Sequence, residues 1–369
     1  MEIQKINSSP FYIKLACILF SILAIGYLAI IGKELLSPIV FSCLFSILLL
    51  PLASFFEYKL KLPRSVSSML SVILLLGAIV LLLYVIGSQI SNLASDWPQF
   101  QKQLNDSLEN LQDWIASTFH VNANKQLNYV HSATSKMISS SSVVVGTTIL
   151  SISSILLFLL FIFIYTFFFL LYRSLIMKFL ERVFLEENKK LVHDIIEEIQ
   201  YIIRKYIIGL LIEMAIVAIV VSAIFLILGV KYAILLGLIT GLLNIIPYIG
   251  IFTALIISSA ITFATATATS QVIFVMVTIF ITHIIDSNIL LPLVVGSKVK
   301  INALITVMGV VIGEMIWGIP GMFLSIPVIA VLKIIFDRVE SMNAWGLILG
   351  DEEKQQSTLT KKIRKNINI

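Results

Sequence analysis

An ionised side chain in the middle of an apolar helix costs roughly 2.5–3.5 kcal/mol on insertion scales, so each one found there is a candidate for function. Three acids stand inside apolar runs of this chain: Glu213, Asp286 and Glu314. Asp286 has the richest surroundings. It falls in the string HIIDSN, with His283 one helical turn before it and Asn288 just ahead of a break expected at Pro292, so polar groups gather near a helix end. A carboxylate facing a wet cavity there takes up a proton or holds a cation. A carboxylate buried against Lys298, Lys300 or Arg204 fixes the fold instead, and the sequence leaves both readings open. Glu314 stands one turn before a Gly-Ile-Pro-Gly string, near the tip of a reversed segment or, if that segment is shallow, among headgroups. Glu213 lies two turns after Arg204 and Lys205, which points to a structural ion pair. Asn244, just before Pro247, offers its amide to solute hydroxyls or a cation, or else caps the backbone that the proline frees. His283 has no second ligand at metal spacing, because His120, His131 and His193 lie in distant polar blocks, and it reads as a hydrogen-bonded packing residue.

The elements that must hold these groups are apolar throughout. Of 369 residues, 59% are hydrophobic and 13% charged, whereas a soluble domain carries about 45–50% apolar and about 25% charged residues. The mean hydropathy of +1.02 excludes a soluble enzyme. Cys17 and Cys43 sit in apolar runs and act as packing residues. The net charge of +5 does not point to nucleic acid: Lys361, Lys362, Arg364 and Lys365 crowd the tail, where they suit anionic headgroups of membrane lipids. There is no GxSxG elbow, HExxH pair, P-loop or GxGxxG turn. The reading is therefore of no enzyme, no cofactor and no bound metal, with any transport driven by ion or solute gradients.

About 20 apolar residues cross a bilayer. Full spans are expected over residues 11–31, 35–56, 66–90, 149–172, 206–228 and 271–291. Residues 91–142 turn polar, with Leu104, Leu108, Leu111, Trp114 and Ile115 at helical spacing. Lys59, Lys61, Arg64 and the charged block 173–205 lie on the inner side by the positive-inside rule, which puts residues 91–142 outside and both termini inside.

After residue 228 the pattern breaks twice. Asn244, Pro247 and Gly250 cut the first apolar stretch in GLLNIIPYIG, and Gly318, Pro320 and Gly321 cut the second, with short halves on either side of each. Proline removes a backbone donor and glycine frees the chain, so helices break and reverse there. Gly229-Val230-Lys231, Leu238-Ile239-Thr240 and Ile246-Pro247 are answered by Gly296-Ser297-Lys298, Leu304-Ile305-Thr306 and Ile319-Pro320, with one crossing between them. Paired broken helices of opposite orientation mark the binding site in many secondary transporters. The expected fold is an all-α polytopic membrane protein of about eight membrane segments: six full spans plus two Pro/Gly-broken re-entrant hairpins. Its parts are three spans in 1–90, an outer polar helical segment in 91–148, a fourth span in 149–172, an inner amphipathic elbow in 173–205, a transport core in 206–336 and a basic tail in 337–369.

Three strings, LGVKYAILLGLITGLLNIIPYIG at 228–250, IIDSNILLPLVVGSKVKINALI at 284–305 and WGIPGMFLSIPVIAVLK at 317–333, resemble the autoinducer-2 exporter (AI-2E) family, also described as PerM-type permeases. The order of spans and polar segments carries the likeness over nearly the whole chain. Asn302-Ala303 stands where many members have His-Pro, and Ile251 where proline often follows. The resemblance implies a bacterial inner-membrane transporter forming homo-oligomers such as pentamers, with members assigned to export of the autoinducer-2 quorum signal and others to exchange of sodium or lithium against protons. The expected path for a small polar solute or a monovalent cation and proton runs past Asn244, Pro247, Gly250, Asp286, Asn288, Glu314, Gly318, Pro320 and Gly321. A non-transporting scaffold that docks partners on residues 91–142 is the remaining alternative.

Overall fold

A computed structural model describes residues 10–95, 102, 141–247, 249–265, 269–294 and 301–350. The expected helix over 104–115, Lys298, Lys300 and the basic end of the tail lie outside them. Every regular element among the described residues is helical. Helices α1 (Phe11–Ile31), α2 (Lys33–Ser54), α3 (Arg64–Ser95) and α4 (Ser141–Leu171) are followed by a short α5 (Arg173–Val183) and a long α6 (Lys189–Ile227). Then come α7 (Ala233–Asn244), α8 (Ile249–Thr265), α9 (Thr269–Ile285), α10 (Ala303–Trp317), α11 (Ile319–Arg338) and α12 (Asn343–Leu349).

Six described helical segments are long and apolar enough to cross a membrane, and the protein is a polytopic helical membrane protein. Five of them match expected spans. The sixth is α11, whose 20 residues reach about 30 Å at 1.5 Å per residue. That corrects the expectation of short halves around the second break: only α10, at 15 residues and about 22 Å, falls short. The first break does separate two short helices, α7 with 12 residues and α8 with 17. Helix α1 covers the expected first span with 21 residues, Phe11–Ile31.

The elbow and the fifth span are one helix. Chain direction changes at Phe184, which is extended, and α6 then runs unbroken for 39 residues through Lys205. Three apolar clusters tie the helices together. Leu49, Ala53, Val72 and Leu170 join α2, α3 and α4. Leu44, Tyr206, Leu210 and Leu324 join α2, α6 and α11. Val221, Phe225, Leu236 and Val275 join α6, α7 and α9. The Phe-rich run of α4 divides by face: Leu170 and Ile162 are buried, while Leu160, Phe161, Ile164 and Phe168 are exposed, as a helix with one side toward lipid requires.

At one end of the bundle, Glu57 pairs with Arg64 at 3.3 Å and with Arg173, while Arg64 Nη1 donates to Ser174 at 2.6 Å. This clamp joins the α2–α3 connection to the start of α5.

Candidate acidic site between α6, α7 and α9

The site is built by a reversal. After α6 the chain turns through Leu228–Tyr232, where Gly229 and Tyr232 take φ of 67° and 62°. Helix α7 then runs back along α6. Two glycines on one face permit the close approach: a Cβ on Gly237 would lie 2.6 Å from the Ser222 nitrogen, and one on Gly241 would lie 2.6 Å from the Met214 oxygen. Such small-xxx-small spacing lets helix backbones meet inside membranes. The reversal carries Asn244, the last residue of α7, to the level of Glu213.

The first break keeps Asn244 in place. Ile245 and Ile246 close tight turns onto Leu242 and Leu243, and Gly250 donates back to Ile246 O at 3.0 Å. Only glycine fits at 250, because a Cβ would come within 1.8 Å of Leu243 O. The third contributor arrives from α9. Its α-helical winding gives way to a π-helical turn over Asp286–Leu290 before a last turn, Leu291–Val294. The expected break at Pro292 therefore comes earlier, at Asp286, and Pro292 lies inside the final turn. Single π-turns inside helices recur at functional sites, and this one turns Asp286 inward, where it is 5% exposed.

Glu213, Asn244 and Asp286 meet there. The amide nitrogen of Asn244 donates to Glu213 Oε1 at 3.0 Å and to Asp286 Oδ2 at 2.9 Å. Glu213 is 3% exposed. The second oxygen of each carboxylate, Glu213 Oε2 and Asp286 Oδ1, is buried with no hydrogen-bond partner among the described residues. No basic side chain among the described residues makes a salt bridge to either acid. Among the described residues, two buried carboxylates around one neutral amide are thus short of positive charge, and low polarity makes such a shortage costly. A proton or a monovalent cation removes it, and both compete for the same oxygens.

The arrangement corrects the reading of Glu213 as a partner of Arg204 or Lys205: it faces the α7 reversal, and Asn244 is its neighbour. Asn244 serves the carboxylates, not the backbone freed by Pro247. Asn288 is exposed and donates to Ile284 O at 2.8 Å, so it stabilises its own turn outside the cluster. His283 approaches Ser287 at 3.5 Å. Pro247 is half-buried in the first break beside the site.

The second break lies elsewhere. Gly318, with φ 67°, makes the hinge in one residue, and Gly313 and Gly321 pack backbone to backbone. Trp317 donates its indole N–H to Ala29 O of α1 at 2.9 Å. Gly318, Pro320 and Gly321 therefore pack near α1, α2 and α6, while Glu314 is exposed on α10. Asn302 caps α10 by accepting from Leu304 N at 2.9 Å.

The model of the AI-2E family transporters matches residues 18–341, a stretch that contains every element of this site. The chain belongs to the AI-2E transporter family. Two Bacillus subtilis (strain 168) proteins resemble this AI-2E member over most of their length. One, named "Putative transport protein YrrI", is 27% identical over 82% of this chain and 86% of its own. Another, named "Putative transport protein YueF", is 24% identical over 75% and 77%. Membership in this family makes the chain a transporter by class.

Proposed function

We propose that this AI-2E member is a secondary transporter of the antiporter type, exchanging a monovalent cation such as sodium or lithium against protons at Glu213, Asn244 and Asp286. One observation carries the reading: two buried carboxylates share one amide donor, and among the described residues each keeps an unpartnered oxygen and neither has a basic partner. Hard monovalent cations favour oxygen ligands, and so does a proton, so occupation by one displaces the other. The bacterial relatives and the basic connection at Lys59, Lys61 and Arg64 support an inner-membrane location with both termini inside.

The family name supports a second reading, export of the autoinducer-2 signal, with the same cluster supplying proton coupling. The deciding experiment uses proteoliposomes with an acid-inside pH gradient and a trapped pH dye. Sodium or lithium added outside dissipates the gradient in the wild type, and Glu213→Gln and Asp286→Asn lose that response. Glu314→Gln retains it, because Glu314 is exposed and away from the cluster. Intact exchange in both cluster variants refutes the assignment of exchange to Glu213 and Asp286. A wild type deaf to both cations but active with radiolabelled autoinducer-2 favours export.

A further inference from the structure

The hydroxyls of α8 divide into two groups. Thr253 and Thr265 turn back to the carbonyls one turn earlier, Ile249 O at 2.9 Å and Ile261 O at 2.7 Å, the usual way a helical hydroxyl satisfies itself. Ser258, Ser259 and Thr262 do not. Their oxygens are buried and have no hydrogen-bond partner among the described residues, with Ser258 0% and Thr262 1% exposed. A buried hydroxyl left without a partner is costly, and a helical hydroxyl ordinarily turns back to the carbonyl one turn earlier. A site that spends this three times within five residues is built for a guest with polar atoms.

The position of these hydroxyls says which guest. Ser258 and Thr262 share the face of α8 that carries Ile251 and Leu255, and those two pack against the buried cluster of α6, α7 and α9 that includes Phe225, Leu236 and Val275. These are the same three helices that hold Glu213, Asn244 and Asp286. Gly250, beside Asn244, starts the row: Ser258 lies about 12 Å and Thr262 about 18 Å farther along the helix at 1.5 Å per residue. Ala254, between Gly250 and Ser258 on the same side, adds no bulk and is itself fully buried. Unpartnered oxygens thus occur at the acidic cluster and again farther along one face of α8.

We infer that Ser258, Ser259 and Thr262 line a water-filled path that carries the cation between the acidic cluster and the far side of the membrane. Water supplies the missing hydrogen bonds when the path is idle, and the hydroxyl oxygens replace part of the hydration shell as a cation passes. The inference rests on the antiporter reading for the identity of the cargo, but the wetness of the path is measurable without it.

The test places single cysteines at Ser258, Thr262 and Val275 in a Cys17→Ser/Cys43→Ser background and exposes sealed proteoliposomes to methanethiosulfonate ethylammonium, a small hydrophilic thiol reagent. Val275 is fully buried in the neighbouring apolar cluster and reports a dry position. A thiol in water holds more thiolate than one in a dry core, so Ser258→Cys and Thr262→Cys react at least about tenfold faster than Val275→Cys. Rates at both positions equal to that of Val275→Cys overturn the path. In parallel, Thr262→Val lowers cation-driven flux while Thr262→Ser restores it, which a packing role for the methyl group would reverse. Should Glu213→Gln and Asp286→Asn leave exchange intact while both cysteines label fast, the cluster's role in exchange fails and the wet path stands.

Discussion

Gly241→Ala perturbs the acidic site without touching any of its polar groups. The new Cβ would stand 2.6 Å from Met214 O, and ordinary contact begins at 3.4 Å, so α7 must retreat from α6 by about 0.8 Å. Met214 adjoins Glu213, and Asn244 lies less than one turn beyond Gly241. The same retreat stretches the 3.0 Å bond from Asn244 to Glu213 past hydrogen-bonding range. A bond to a charged group is worth about 1.5–3 kcal/mol. Alanine returns about 1 kcal/mol of helix propensity. The loss wins, leaving a net deficit of about 0.5–2 kcal/mol. The assay is sodium-driven proton flux in proteoliposomes across a range of sodium concentrations, with Tm measured on the same preparation. The expected result is a folded protein with lower Tm and an apparent KM for sodium raised several-fold. Wild-type Tm together with wild-type KM would refute the claim that close packing at Gly241 sets the geometry of the cluster.

Two further outcomes follow from the same structure. If proton and cation share the cluster oxygens, lowering the pH on the cation side raises the apparent KM for sodium, by about tenfold per pH unit once protons dominate; a KM that ignores pH shows that the two do not compete. Glu57→Gln removes the carboxylate between two guanidiniums, and the burden falls on Arg173, which is 20% exposed, since Arg64 is 36% exposed and solvent screens it. A loss of about 1.5–3 kcal/mol is expected in denaturant or thermal unfolding, and an unchanged Tm would mean that the clamp contributes nothing to stability.

Much of this architecture was legible in residue order. Charged and amide groups in apolar runs singled out Asp286 and Asn244, and the Pro/Gly strings marked both breaks. What sequence proximity misassigned was Glu213. Arg204 and Lys205 are its neighbours along the chain, but the partner that reaches it comes from 31 residues away, through a helix reversal. The signal that could have found it is the pair Gly237 and Gly241 just after the Gly229 turn, which folds α7 back onto α6. The second break was recognised as a break, yet its place against α1 depends on Trp317 meeting Ala29 O. A contact between residues 288 apart leaves no periodic trace in either segment. The π-turn at Asp286 was hidden for a different reason: proline at 292 advertises a disruption, but which preceding residue absorbs it is decided by packing.

The unbroken run of α6 has a mechanical consequence. Its 39 residues make a rod about 58 Å long, with Glu213 about 21 Å from the Ile227 end. Swung about that end as a rigid body, the rod works as a reducing lever: moving Lys189 by about 3 Å moves Glu213 by about 1 Å. That smaller step is comparable with the slack in a 3.0 Å hydrogen bond. The charged N-terminal stretch of the helix is tied to Arg338 through Glu198, with the guanidinium 2.6 Å from the carboxylate. Under the same pivot, a displacement of about 2 Å at Glu198, about 44 Å from the Ile227 end, reaches Glu213 as about 1 Å, the size that makes or breaks one bond.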